Sequence, residues 1–283
     1  TPLPDAARRA AACVALPWAA FTPILYGFAF VGGFVKVWGR DYTPTLDHYA
    51  KAFAVEHTAD GLIWTGAAWN SFWTTLKLAA IAAPLTAALG LIAAWLLVRQ
   101  RFAGRSTLEF ATMLSFAVPG TVIGVAYVFA FNVPPIEITG TAMIIVLCFI
   151  FRNMPVGVRA GMAAMSQIDR SLDEASLTLR GRAPQTLVYV VLPLLRPAIV
   201  GALVYGFVRA VTTVSAVVFL VTAEYDLATT YIILRVINGD YGLAIAYSCA
   251  LIVLMLAVIL LIQLAVGERR LGRRAPQIQG GRA

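Results

Sequence analysis

Charge is scarce in this chain: Asp, Glu, Lys and Arg make up only 13% of it, against 60% hydrophobic residues. A water-soluble globule of that make-up could not cover itself with polar surface, which points to a bilayer as the solvent. Carboxylates are scarcest where lipid should be. All 14 Asp and Glu residues fall in loops or near the ends of apolar runs. Proton- and sodium-coupled carriers place a carboxylate near the midplane, so that absence weighs against a secondary transporter. No GxxxxGKS/T phosphate loop occurs, which excludes ATP hydrolysis of the usual kind by this chain. Metal-site spacing is missing too. Cys13, Cys148 and Cys249 lie singly in apolar blocks and read as small buried hydrophobes, and His48 and His57 read as surface residues rather than ligands. No acid, base or nucleophile constellation stands in the apolar runs, so no catalytic residue, metal site or cofactor of its own is expected.

What is present is length of apolar sequence. Six runs, near 12–36, 71–98, 108–131, 139–162, 197–222 and 243–266, can each cross a bilayer at about 20 residues per span. Their continuous hydrophobicity predicts an all-α polytopic membrane protein of six transmembrane helices, not a barrel of alternating strands. The net charge of +8 gathers at the ends of these runs, which argues against nucleic acid as a partner. Arg8 and Arg9, then Arg99, Arg101 and Arg105, then Arg170, Arg180, Arg182 and Arg196, then Arg269, Arg270, Arg273 and Arg274 mark four alternating regions as cytoplasmic. Both termini are then cytoplasmic, and loops 37–70, 132–138 and 223–242 face outward.

Trp38, Trp64, Trp69 and Trp73 flank the first outer loop as an interfacial belt. Pro17, Pro23, Pro84, Pro119 and Pro155 predict kinks or breaks, foremost at Pro119-Gly120. Arg209 lies near the middle of the fifth run with Thr212, Thr213 and Ser215 close by, and Arg152 lies in the fourth. A charge at such depth costs at least about 2.5–3.5 kcal/mol, so it should face protein or water. Two roles are open to Arg209: lining a translocation path with the hydroxyls, or pairing within the bundle. Arg159 and Lys77 sit close enough to run ends to snorkel. Outer loop 223–242, with Glu224, Tyr225, Asp226, Tyr231, Asn238, Asp240 and Tyr241, reads mostly as solvated loop, with contact to a substrate-binding protein or a cap on the path as the functional alternatives.

The segment 171–193 between the fourth and fifth runs is polar, basic and helix-prone. Ser171 with Glu174 three residues on fits a capping box. Gly181 and Pro184 then separate a first helix with a small-residue face at Ala175 and Ser176 from a second one reaching Leu192-Pro193. The expected form is a helix-turn-helix along the inner membrane surface.

Glu174-Ala175-Ser176, with Val190, Leu192 and Pro193 in register, resembles the EAA loop of MetI-like permease subunits of bacterial binding-protein-dependent ABC importers. That loop reads Glu-Ala-Ala, then Gly after three residues, then Ile after nine more, then Leu-Pro after one. Here Arg180 holds the glycine position and the glycine follows at Gly181. A left-handed Arg180 costs about 1 kcal/mol, unless Gly181 takes over the turn. Phe151–Arg159, Leu194–Ile199, Phe219–Asp226, Arg235–Tyr247 and Gly267–Leu271 resemble the ferric iron branch of these permeases, and the likeness covers about 70–274.

The resemblance implies a first helix and outer loop over 1–69, a permease core over 70–266, and a basic cytoplasmic tail over 267–283. It implies coupling to an ATPase dimer through Glu174, Ala175, Ser176, Arg180, Gly181, Leu192 and Pro193, with ATP and Mg held by that partner. It further implies a periplasmic substrate-binding protein, an inner-membrane location, and a second permease module, either in the same chain or by homodimerisation. A start at Thr1 suits the second module of a double-length chain. Arg152, Arg209, Thr212, Thr213 and Ser215 would line the path. Phosphonate, polyamine, thiamine or sulfate remain as alternative solutes.

Overall fold

The computed structural model describes residues 4–58, 61–169 and 171–266. The tail 267–283 and Arg170 lie outside the described residues. The chain opens with α1 (Asp5–Gly32). An outer segment follows with hairpins β1 (Val35–Val37)–β2 (Asp41–Pro44) and β3 (Val55–Thr58)–β4 (Gly61–Trp64) around α2 (Asp47–Ala52). Next come α3 (Trp69–Arg99), α4 (Arg105–Ala117), α5 (Gly120–Phe131), a short hairpin β5 (Asn132–Val133)–β6 (Ile136–Glu137), and α6 (Ala142–Ser166). The polar segment forms α7 (Ser171–Thr178), α8 (Ala183–Thr186), a π turn at Leu187–Val191, and α9 (Leu192–Leu194). Helices α10 (Arg196–Thr212), α11 (Ala228–Ile237) and α12 (Tyr241–Val266) complete the fold. The membrane body is all-α, and the hairpins belong to the loops between its helices.

Among the described residues, helices α1, α3, α6 and α12 are each long and apolar enough to cross a bilayer, and two bent pairs, counted as one span each, bring the number to six. The pair α4–α5 turns through 111°. The turn falls at Pro119-Gly120, as expected, because Pro119 lacks an N–H and holds Val118 extended (φ −92°, ψ 129°). Pro17, Pro23, Pro84 and Pro155 lie within continuous helices, so none of them breaks its span. Neighbouring groups can satisfy the backbone that a proline frees.

The fifth span also departs from expectation. Its helix ends at Thr212 rather than near 222, and the chain continues in turns closed by Val217 N–H to Val214 O (3.1 Å) and Leu220 N–H to Val217 O (2.8 Å). Such backbone is tolerated at membrane depth only where protein or water surrounds it. Ala216, Val217 and Leu220 are buried accordingly.

Helices α3, α6 and α10 form the centre. The buried face of α3 is mostly small: Ala79, Ala82, Ala83, Thr86, Ala87, Gly90 and Ala94. Against it α6 sets Gly157 and Gly161, the four-residue spacing that lets helix backbones touch. A Cβ on Gly90 would stand 3.1 Å from the Gly157 carbonyl carbon, and one on Gly161 would stand 2.7 Å from Ala94 Cβ. Helix α1 lies outside this centre and buries almost nothing.

Candidate functional site

The polar segment folds as a helix-turn-helix, but not by the expected cap. Ser171 is the first residue of α7, and its N–H donates to Asp169 Oδ1 at 2.9 Å. The Ser171 N–H and then its hydroxyl hold the exposed Asp169 carboxyl below its usual pKa. Half of a capping box occurs instead at α8, where Gln185 Oε1 accepts the Arg182 N–H at 2.8 Å. Pro184 therefore starts the second helix rather than merely ending the first; in the first turn its missing N–H costs nothing.

The turn resolves the Arg180 question. Arg180 has φ 61°, and Gly181 N–H donates to Ser176 O at 2.8 Å, the six-to-one bond of a Schellman motif. Arg180 thus occupies the left-handed position itself. Gly181 is required for another reason: a Cβ there would stand 2.5 Å from Ser176 Oγ and 2.8 Å from its carbonyl oxygen. Ser176 Oγ also bonds Thr186 Oγ1 at 2.7 Å and ties α7 to α8. Arg180→Gly relieves about 1 kcal/mol of strain. It should slow amide exchange at Leu179 and Gly181 about fivefold in hydrogen-exchange measurements.

Glu174, Ala175 and Pro193 are exposed, Ser176 and Leu192 half-buried. Leu172, Leu179, Val188 and Tyr189 also face outward, Leu179 at 85% and Tyr189 at 77% exposure. These apolar side chains stand open on an otherwise polar segment. Its far end is anchored differently: Val191 and Leu195 pack with Ala94 of α3 and Met165 of α6. Arg99 Nη2 donates to Ile168 O at 3.1 Å, at the near end. The far end of α7–α9 is thus packed directly against α3 and α6.

The intramembrane cations divide into two settings. Arg152 on α6 meets the α4–α5 break: a Cβ on Gly120 would lie 3.0 Å from Arg152 Nη2 and would collide with Ser215 Oγ. Arg209 and Thr212 are exposed together on α10, whereas Thr213 is buried. The hydroxyls of Thr212 and Thr213 bond back to Val208 O and Arg209 O at the end of that helix. Among the described residues no carboxylate pairs with Arg152, Arg159 or Arg209. Arg159 Nε instead donates to Met113 Sδ at 3.1 Å, and Lys77 is exposed.

The end of the bundle that carries α2 and α11 is more ordered than its composition suggests. His48 is not a plain surface residue: its Nε2 is 3.0 Å from Val35 O, and its ring packs so closely on Gly242 that a Cβ there would collide. Loop 223–242 is not a solvated loop throughout, because α11 buries Ala228 and Tyr231 and the Ala228 N–H donates to Thr75 Oγ1 at 2.7 Å. Cavities of about 770 Å³ and 550 Å³ meet at Ala67 and Arg235. Arg235 pairs with Asp240 at 3.3 Å and covers the Tyr231 ring at 4.8 Å.

Asp226 lines the smaller cavity, where burial raises its pKa against the pull of the Leu227 N–H and Arg235. A raised carboxyl pKa means the fold holds the proton longer than the unfolded chain does. Stability then falls as pH rises from the ordinary carboxylate range through the raised folded pKa, and the cost persists at neutral pH. Asp226→Asn should raise the thermal midpoint near pH 7 and flatten its pH dependence over the acidic range, read by differential scanning fluorimetry.

The bundle thus combines a broken third span, a fifth span ending in buried irregular backbone, and an exposed helix-turn-helix. The family model described as "Binding-protein-dependent transport system inner membrane component" matches residues 86–271, and the chain belongs to that family. It is accordingly a multi-pass inner-membrane protein. The ferric transport system permease protein FbpB of Actinobacillus pleuropneumoniae is 52% identical over 254 residues, which are 90% of this chain and 36% of the relative. A putative FbpB of Haemophilus influenzae is 52% identical over 73% of this chain and 32% of its own length. The sulfate permease CysT of Escherichia coli is 29% identical over 72% of this chain and 78% of its own. This chain thus spans about a third of the two ferric relatives. The fold matches a crystal structure of a bacterial ABC transporter involved in alginate import with TM-score 0.65, at 16% identity, over 89% of this chain and 94% of that one.

Sequence reading found α7–α9 and the α4–α5 break but missed Asp169 as the cap and the outer helix α11. Asp169 two residues before a helix start was a readable signal. For α11 the signal was the run Tyr231-Ile-Ile-Leu234, overshadowed by the flanking charges.

Proposed function

We propose that this chain is one module of an ABC importer carrying ferric iron. Residues 70–266 form the permease core, behind a first helix and outer loop over 1–69, and a basic tail over 267–283 follows. A separate ATPase dimer, which holds ATP and Mg, docks on Glu174, Ala175, Ser176, Arg180, Gly181, Leu192 and Pro193. A periplasmic binding protein delivers cargo to the outer cavities. The second module lies in the same chain, since FbpB is nearly three times the length matched. Both termini face the cytoplasm. Arg152, Arg209, Thr212 and Ser215 face the path between modules, and Thr213 secures the end of α10.

The observation that carries this reading is the pairing of an exposed apolar docking surface on α7–α9 with buried anchors at Val191 and Leu195. ATP-driven closure beneath the loop pushes on a lever already packed against α3 and α6, which rocks the module and alternates access. The test is ATP hydrolysis by the reconstituted full-length complex with its binding protein. Ferric-loaded binding protein should stimulate hydrolysis several-fold over the apo form. Equal rates with both forms would refute iron as the cargo.

A further inference from the structure

We propose that Arg152, Ser215 and the first turn of α5 bind a small inorganic oxyanion during transport. Arg152 Nε and Nη1 are fully buried and have no hydrogen-bond partner among the described residues. A guanidinium carries five donors and no acceptor, so leaving two of its nitrogens unbonded at membrane depth is expensive. Among the described residues no carboxylate pairs with Arg152.

Beside the guanidinium a second positive end converges. Helix α5 runs 12 residues from Gly120, behind Pro119, with no side-chain cap. Its first N–H groups lack intrahelical acceptors and carry the positive pole of the helix dipole. The absence of a Cβ at Gly120 is what brings Arg152 Nη2 and Ser215 Oγ to this helix end. The Arg152 guanidinium and the free N–H groups of this helix end are donors only, and the Ser215 hydroxyl can donate as well. A cation or a neutral donor therefore gains nothing here, and an acceptor-only anion gains from each contact. The planar fork of arginine matches an oxyanion bidentately.

This inference rests on the reading that Arg152 faces the path, and holds whichever solute is carried. It also removes an obstacle to iron. A trivalent cation passing a bare guanidinium is repelled, whereas a bound oxyanion reverses the local charge.

The test is equilibrium binding of inorganic phosphate, sulfate and bicarbonate, each alone and without iron, to the full-length complex in nanodiscs. At least one should bind saturably. Its affinity should fall about tenfold or more in Arg152→Gln and less in Arg152→Lys. Arg159→Gln, on the same helix but exposed, should leave it unchanged. The bound anion should raise the melting temperature of the parent complex but not of Arg152→Gln. Should Arg152→Gln fail to assemble, Ser215→Ala takes its place and should weaken binding several-fold. Failure of all three anions to bind, or binding indifferent to both variants, overturns the proposal. A carboxylate from the second module pairing with Arg152 would produce that negative result. Iron-stimulated ATP hydrolysis is measured separately, so either reading can fail alone.

Discussion

Glu174→Lys should abolish uptake while the protein still inserts in the membrane at normal levels. Glu174 is exposed and its side chain makes no ion pair among the described residues, so nothing within the fold depends on its carboxylate. Its backbone carbonyl accepts the Thr178 hydroxyl at 2.8 Å, a contact that the substitution keeps. Lys has nearly the helix propensity of Glu, and a positive charge near the start of α7 costs only a few tenths of a kcal/mol. The loss falls on the partner instead. A charge reversed on a docking surface places like charges together, which costs several kcal/mol of association. Uptake should fall about tenfold or more, with the quantity of protein in the membrane fraction unchanged on immunoblots. Uptake that persists would mean that α7–α9 is not the contact through which energy enters.

Gly90→Leu should prevent the bundle from closing. The obstacle is backbone: the new side chain would meet the Gly157 Cα at 3.2 Å and the Val158 nitrogen at 3.2 Å, and neither can rotate away. Overpacking of this kind costs about 1–3 kcal/mol or more, at the interface where α3 and α6 are closest. The thermal midpoint should drop sharply and protease sensitivity rise. Gly201→Leu is the control, since nothing lies within 4 Å of a Cβ at that exposed position of α10. It should behave as the parent does. Equal tolerance of both substitutions would contradict the tight α3–α6 crossing.

How much of this was legible in advance follows from which physics dominates at each place. Span existence was readable because a bilayer demands long apolar runs, and Pro119-Gly120 was readable because proline removes a donor whatever surrounds it. The end of α10 at Thr212 was hidden. Residues 213–222 are as apolar as a helix, and only their burial against α5 and the core lets them leave helical form. Arg180 was the instructive case. The sequence posed two conformations, and the close approach of Gly181 to Ser176 decides for a left-handed Arg180. The helix-turn-helix α7–α9 was visible as polarity and spacing, but the exposure of Leu179 and Tyr189 needed coordinates. Asp226 and α11 were read as loop because charge near a membrane usually means water; here tertiary burial overrides it.

The most direct test is uptake of radiolabelled ferric iron into proteoliposomes containing the full-length protein, its ATPase and its binding protein. Accumulation should require ATP and the binding protein, ignore an imposed proton gradient, and vanish with Glu174→Lys. Accumulation driven by the gradient without ATP, and unchanged by Glu174→Lys, would contradict the account.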